Sequence, residues 1–112
     1  MEKLLAVLKA LSDETRLRIL NLLYEKELCV CDVMETLQIS QAKTSRHLIY
    51  LKNAGLVRDR KHAQWAYYSI SIDERLKFID SLVYKNLRNM EPYKKDLENL
   101  NEWFKQNNGQ CD

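Results

Sequence analysis

The sequence predicts one mainly α-helical domain with a single small β-hairpin. Its 112 residues include only two glycines and one proline, which leaves little material for turns and favours helices. Apolar residues recur every three or four positions along most of the chain, which is the spacing of a helix face. Between residues 56 and 70 the pattern changes to alternation in a segment rich in Val, Trp and Tyr, as two strands require. We expect one domain over residues 1–105 and a mobile tail over residues 106–112.

The first part of the chain predicts two consecutive helices. A leucine repeat marks the first helix, which should end near Ala10. Ser12 is the predicted N-cap of the second helix, because acidic residues follow it in the first turn, where the helix dipole favours negative charge. The second helix is expected to reach about Tyr24.

The middle of the chain predicts two helices joined by a tight turn. A short helix should run from about Cys31 to Gln38, and Ser40 can cap a longer helix that reaches Ala54, with Gly55 closing it. This arrangement matches a helix-turn-helix unit, whose second member, the recognition helix, enters the major groove of DNA.

The predicted hairpin follows the recognition helix directly. Its strands should cover residues 56–60 and 64–70, with Lys61, His62 and Ala63 at the tip. A basic hairpin in this position is the layout of a winged helix-turn-helix, in which the hairpin, or wing, lies on phosphates or in the minor groove.

The last long helix is expected from about Ile72 to Met90, and its apolar face is too broad for one small core. We therefore expect a two-fold homodimer built from the first and last long helices. After Pro92 a further helix could reach Phe104, with Trp103 and Phe104 packing on the dimer surface.

Basic charge is concentrated in one part of the chain. Residues 40–62 hold six basic residues against one acidic residue, although the formal net charge of the whole chain is only +2. Such focusing is typical of nucleic-acid binding, while a solvated basic face is the alternative. No apolar run approaches the roughly 20 residues that cross a bilayer, and the start carries acidic residues without a cleavage site. These features predict a cytoplasmic protein without a membrane partner.

The three cysteines are Cys29, Cys31 and Cys111. A Cys-x-Cys pair is hard to close into an unstrained disulfide, which favours reduced thiols. Residues two apart project in different directions in a helix or a strand, so both thiolates can hold one atom only at a local bend. Soft thiolates bind trivalent arsenic or antimony, copper(I), zinc or cadmium. The alternatives are that Cys29 and Cys31 are small buried apolar residues and that Cys111 is an incidental exposed thiol.

Three segments together resemble the ArsR/SmtB family of metalloregulatory repressors: LSDETRLRILNLL at residues 11–23, ELCVCDV at 27–33 and SQAKTSRHLIYLKNAGLV at 40–57. The resemblance implies a homodimeric winged-helix repressor that leaves operator DNA when a metal or metalloid binds, with no obligatory cofactor. The ELCVCD segment is similar to that of the arsenic-responsive members. The chain departs from the family in lacking a glycine at the wing tip, and in having Met34 where a third cysteine often stands.

The resemblance also implies where the inducer and the DNA bind. Trivalent arsenic or antimony would be held by Cys29 and Cys31, completed by Cys111 or a small cellular thiol. Double-stranded operator DNA would be contacted by polar and basic side chains of the recognition helix and the wing. These are Gln41, Lys43, Thr44, Ser45, Arg46, His47, Arg60 and Lys61.

Two other functions compete with this one. The same cysteines could form a thiol redox or persulfide switch in a DNA-binding repressor, since exposed thiols of low pKa oxidise readily. A thiol-dependent enzyme is the third hypothesis, and the sequence argues against it. There is no Cys-x-x-Cys, no phosphate-binding glycine loop and no histidine beside the cysteines.

Overall fold

The computed structural model describes residues 2–107 and confirms a mainly helical winged helix-turn-helix with a small antiparallel sheet. The sheet has three strands, and the strand that comes last in the chain lies between the other two. None of the helices in this part of the chain is long and apolar enough to cross a membrane. The elements are α1 (Glu2–Leu11), α2 (Glu14–Leu23), β1 (Leu28–Cys29), α3 (Val30–Leu37), α4 (Gln41–Asn53), β2 (Val57–His62), β3 (Trp65–Ile70), α5 (Phe78–Ser81) and α6 (Tyr93–Asn107).

The hydrophobic core fixes the position of the helix-turn-helix unit. Leu20 and Leu22 of α2 lie in one cluster with Leu48 and Leu51 of α4 and Leu100 of α6, each at most 1% exposed. Burying a leucine side chain stabilises a fold by about 1.5–3 kcal/mol. The inward face of α4 is therefore held against α2, and its outward face remains at the surface.

Side-chain caps set the ends of the helices, with one difference from the prediction. Asp13, not Ser12, caps α2, because its Oδ1 accepts the backbone N–H of Arg16 at 3.1 Å. The Ser12 hydroxyl instead donates to the carbonyl oxygen of Lys9 at 2.7 Å, at the end of α1. Ser40 caps α4 as the sequence predicts.

The wing hairpin extends further than the sequence predicts. β2 continues to His62, which pairs with Trp65 of β3, so the tip consists of Ala63 and Gln64 rather than residues 61–63. Ala63 has a φ of 60°, a left-handed conformation that glycine usually supplies. The turn therefore closes without the glycine that is common in the family.

The segment predicted as one long helix, from about Ile72 to Met90, is helical over most of its length but is not one regular α-helix. In a single chain the fully packed apolar side chains of this segment are Ile79, Val83 and Leu87. Phe78 and Tyr84 are 47% and 52% exposed, and most helical stability comes from packing of an amphipathic face. The segment consists of 3₁₀ turns at Glu74–Leu76 and Leu87–Asn89, the short helix α5 and a π-helical stretch at Leu82–Asn86.

The C-terminal helix α6 packs against its own chain. Asp96, which is 2% exposed, accepts two hydrogen bonds from the guanidinium of Arg18 on α2, at 2.8 and 2.9 Å. Phe104 lies under the ammonium of Lys26, 4.0 Å from the ring centroid, and Trp103 bonds to α3. Both aromatic side chains are half-buried in the single chain, and their place on a dimer surface stays a prediction. The predicted tail over residues 106–112 begins inside α6.

Candidate nucleic-acid interface and thiol site

The outward face of α4 carries the polar side chains that the sequence assigns to DNA. Gln41 and Arg46 are exposed, and Lys43 and Ser45 are half-buried. The first turn of α4 holds no acidic residue. The positive end of the helix dipole and these basic side chains can therefore attract phosphate together.

Two residues of the predicted DNA-contacting set face inward. Thr44 is 0% exposed and its hydroxyl donates to the carbonyl oxygen of Ser40 at 2.8 Å. His47 is 8% exposed, and its Nδ1 lies 3.3 Å from Nη1 of Arg16 on α2. Burial removes both side chains from contact with DNA in this conformation, which corrects their assignment. They hold α4 against the rest of the domain.

Arg16 connects three helices and was missed by the sequence analysis. Its Nε and Nη2 donate to the carbonyl oxygens of Ala10 and Lys9 at the end of α1, at 2.8 and 3.1 Å. The guanidinium also lies 3.9 Å from the ring centroid of Tyr50 on α4. A position in the first turn of α2 is the only signal that the sequence offers, and it does not identify these partners.

The environment of His47 favours its neutral form. Burial is the main reason that its pKa is lowered, and the positive charges of Arg16, Arg46 and Lys43 act in the same direction. The carboxylate of Asp13 opposes them. A neutral imidazole can accept at Nδ1 from the arginine, whereas a protonated one would repel it.

Of the two wing cations that the sequence assigns to DNA, one is exposed and the other is already paired. Lys61 on β2 is exposed. Arg60 forms a bidentate pair with Glu27, at 2.9 and 2.7 Å, and lies 5.2 Å from the ring centroid of Tyr67. This pair raises the pKa of Arg60 and lowers that of Glu27. Exposed ion pairs contribute little stability, so phosphate can compete with Glu27 for Arg60.

The structure places the two neighbouring cysteines at a junction between a strand and a helix. Cys29 is the last residue of β1, opposite Tyr67 of β3, and it is also the N-cap residue of α3. Cys31 lies in the first turn of α3 and is half-buried. The chain therefore bends from strand to helix between the two cysteines. β1 was not predicted, because a two-residue strand carries no alternation.

Burial dominates the chemistry of Cys29. The residue is 4% exposed, and burial is the first cause of the raised pKa of its thiol. The carboxylate of Asp32 raises the pKa further, while backbone N–H groups oppose it. The helix N-terminus therefore does not bring the pKa of this thiol below its ordinary value.

The remaining thiols give no closed metal site. Cys31 takes part in a disulfide, which departs from the expectation of reduced thiols. Cys111 lies outside the residues that the structure describes. Within residues 2–107, no three His, Cys, Asp or Glu side chains are grouped to hold a metal ion.

A buried carboxylate joins the cysteine junction to α6. Asp32 is 1% exposed; its Oδ2 accepts the backbone N–H of Cys29 at 3.0 Å, and its Oδ1 accepts the indole N–H of Trp103 at 2.8 Å. The three-residue spacing of Cys29 and Asp32 is that of a capping box and is visible in the sequence. Nothing in the sequence pairs Asp32 with Trp103, which lies 71 positions away.

Residues 13–59 match the family model described as bacterial regulatory protein, arsR family. The arsenical resistance operon repressor of Escherichia coli is 53% identical over 64 residues, 56% of this chain and 55% of that protein. A cadmium resistance regulatory protein CadC homolog of Staphylococcus aureus is 49% identical over 63% of this chain and 59% of that protein. These alignments span little more than half of either relative.

A further relative and two solved structures match over most of their own length. An uncharacterized HTH-type transcriptional regulator of Methanocaldococcus jannaschii is 45% identical over 73% of this chain and 92% of that protein. Reduced HlyU from Vibrio cholerae has a TM-score of 0.68 and 38% identity, covering 76% of this chain and 90% of that one. A homodimeric winged helix-turn-helix domain from Mycobacterium bovis has a TM-score of 0.66 and 28% identity, covering 80% of this chain and 86% of that one.

Proposed function

The chain belongs to the ArsR family of bacterial regulatory proteins, and from this premise we propose that it is a metalloid-responsive transcriptional repressor. It binds double-stranded operator DNA as a homodimer and is released when trivalent arsenic or antimony binds cysteine thiolates. The observation that carries the proposal is the position of Cys29, which ends a strand of the wing sheet and caps α3 directly before α4. A ligand at this residue acts on both DNA-contacting parts of the fold.

The DNA-contacting set is the predicted one without its two inward-facing members. The exposed start of α4 supplies base-edge and phosphate contacts, and the wing adds phosphate contacts. Because several of these side chains are cationic, the affinity should fall steeply with salt. The set is Gln41, Lys43, Ser45, Arg46, Arg60 and Lys61.

The inducer site uses the reduced protein. Cys29 and Cys31 supply two thiolates, which prefer soft acceptors such as trivalent arsenic. Cys111 or a small cellular thiol completes the ligand set. Since burial raises the pKa of Cys29, inducer binding should release a proton from this thiol. The name of the E. coli relative supports a metalloid, and the name of the S. aureus relative makes cadmium the first competitor to test.

Release of DNA follows from the position of the two cysteines, which lie at the start of α3, directly before the recognition helix α4. Drawing the sulfurs of Cys29 and Cys31 onto one atom changes the backbone at the start of α3. Val33 and Leu37 of α3 lie in the same core cluster as Leu48 of α4, so a shift of α3 is passed to α4. The inducer then favours a conformation with lower affinity for DNA.

The homodimer rests on apolar side chains that a single chain leaves uncovered. On α1, Leu4, Leu5 and Leu8 are 40%, 55% and 45% exposed. Large exposed apolar patches mark interaction surfaces, and the M. bovis neighbour is described as homodimeric. Two-fold pairing presents two recognition helices to two half-sites. The proposed protein works in the cytoplasm, without enzymatic activity.

A thiol redox or persulfide switch is the second candidate. The disulfide at Cys31 favours it, because it indicates that this thiol can be oxidised. The burial and raised pKa of Cys29 work against it, since reactive thiols are exposed and have a low pKa.

The test measures release of an operator selected by the wild-type protein from random duplex DNA. Fluorescence anisotropy follows the reduced protein during titration with arsenite, antimonite, copper(I), zinc or cadmium. We expect arsenite or antimonite to release wild type but not Cys29→Ser or Cys31→Ser, each of which must first bind the operator normally. Cys111→Ser tests the third ligand. Release by peroxide or persulfide, with no response to any ion, would replace the metalloid by the redox switch.

A further inference from the structure

We propose that Trp103 is a positioning residue for the thiol site and that α6 is a strap that inducer binding must release. The indole of Trp103 holds Asp32, and Asp32 holds the backbone of Cys29. This inference rests on the proposed function and adds a restraint that sets how much inducer is needed.

The strap is a continuous chain of hydrogen bonds through a buried carboxylate. The indole N–H of Trp103 donates to Oδ1 of Asp32 at 2.8 Å, and the N–H of Cys29 donates to Oδ2 at 3.0 Å. Asp32 is 1% exposed, so water does not screen these bonds. Hydrogen bonds to an ionised acceptor are about twice as strong as bonds between neutral groups.

The far end of the strap is fixed independently of the cysteines. Asp96 of α6 forms its bidentate pair with Arg18 of α2, and Tyr93 and Leu100 of α6 are 5% and 1% exposed in the core. Because α6 is anchored to α2, it cannot simply follow Asp32 when α3 moves. A displacement at the start of α3 must therefore stretch or break the bond to Trp103.

Inducer binding demands such a displacement. Cys29 and Cys31 lie on the two sides of the junction between β1 and α3. Bringing both sulfurs to one atom requires rotation of the Cys29 backbone, whose N–H is the group that Asp32 holds. The strap therefore stabilises the DNA-binding form and raises the inducer concentration needed for release.

The test compares Trp103→Phe with Trp65→Phe, the same substitution at the only other tryptophan of the chain. Each reduced protein is held at a concentration that saturates the operator, and arsenite is then titrated in. Losing one hydrogen bond to a charged group should lower the arsenite midpoint about tenfold or more for Trp103→Phe. Trp65→Phe should keep the wild-type midpoint. A merely structural role of Trp103 would weaken folding without lowering the midpoint, so an unchanged or higher midpoint overturns the strap.

Fluorescence gives a second measurement that does not depend on the stability of Trp103→Phe. Trp65→Phe leaves Trp103 as the single tryptophan, and its emission should change over the arsenite range that releases DNA. The same protein with Cys29→Ser should show no change. Release of DNA without a change in Trp103 emission overturns the strap and leaves the proposed function intact. Failure of arsenite to release DNA from the wild type overturns both.

Discussion

Replacing Arg16 with methionine should loosen the recognition helix while leaving its DNA-facing side chains unchanged. Methionine keeps an apolar stem of similar length and removes the guanidinium. That group donates to the carbonyl oxygens of Ala10 and Lys9, approaches His47 at 3.3 Å and covers the ring of Tyr50. The substitution therefore removes the contacts of Arg16 with the end of α1, with His47 and with Tyr50, and it leaves the side chains of α4 in place.

The expected loss follows from the contacts. Each hydrogen bond to the end of α1 contributes about 1 kcal/mol, and the cation over Tyr50 adds about 0.5–1 kcal/mol. The Arg16 side chain is only 11% exposed, so solvent screens these interactions weakly. Without the guanidinium, the carbonyl oxygens of Ala10 and Lys9 each lose a hydrogen-bond donor, which lowers the stability further. We expect the free energy of unfolding to fall by about 3 kcal/mol.

Urea unfolding followed by circular dichroism measures this loss. The matched control is Arg75→Met, because Arg75 pairs with Asp73 at the surface, where its side chain is 79% exposed. An exposed pair of this kind should contribute little to stability. Operator affinity should also fall for Arg16→Met, since α4 loses its contacts with Arg16 of α2, and it should not fall for Arg75→Met. If the two variants lose the same stability, Arg16 does not join these helices energetically.

Three further substitutions test the wing, the buried histidine and the proposed dimer. Glu27→Gln frees the guanidinium of Arg60 for phosphate, so anisotropy should show operator affinity rising about threefold at low salt, with no such rise for Glu98→Gln, the same charge change on α6. Burial lowers the pKa of His47, so the unfolded chain binds this proton more readily, and the stability present above the ordinary histidine pKa is lost as the pH falls below it. Urea midpoints between about pH 7 and about pH 5 should therefore fall less for His47→Gln than for wild type, and equal slopes would exclude this role of the histidine. Leu5→Glu places a charge on the exposed face of α1, so sedimentation should show a monomer at concentrations where the wild type is dimeric; an unchanged dimer would move the interface elsewhere.

The structure reproduces the parts of the prediction that depend on neighbouring residues. Ser40 caps α4, Gly55 has a φ of 83° after it, and the alternating segment forms the wing. Caps, turns and periodicity each depend on residues that are close together in the chain, so a short stretch of sequence is enough to predict them. The prediction of one regular helix over residues 72–90 failed because that regularity depends on packing partners that no local pattern supplies.

For the candidate site, too, the sequence predicted the local features and did not predict the long-range contacts. The sequence by itself determined that two thiols lie at the start of a helix before the recognition helix, that a shared ligand there needs a bend, and that basic charge is focused on this region. Only the tertiary structure decided that β1 joins the wing sheet, that His47 faces Arg16 and that Trp103 reaches Asp32. These partners are 31 to 71 positions apart in the last two cases, and core packing rather than sequence spacing brings them together.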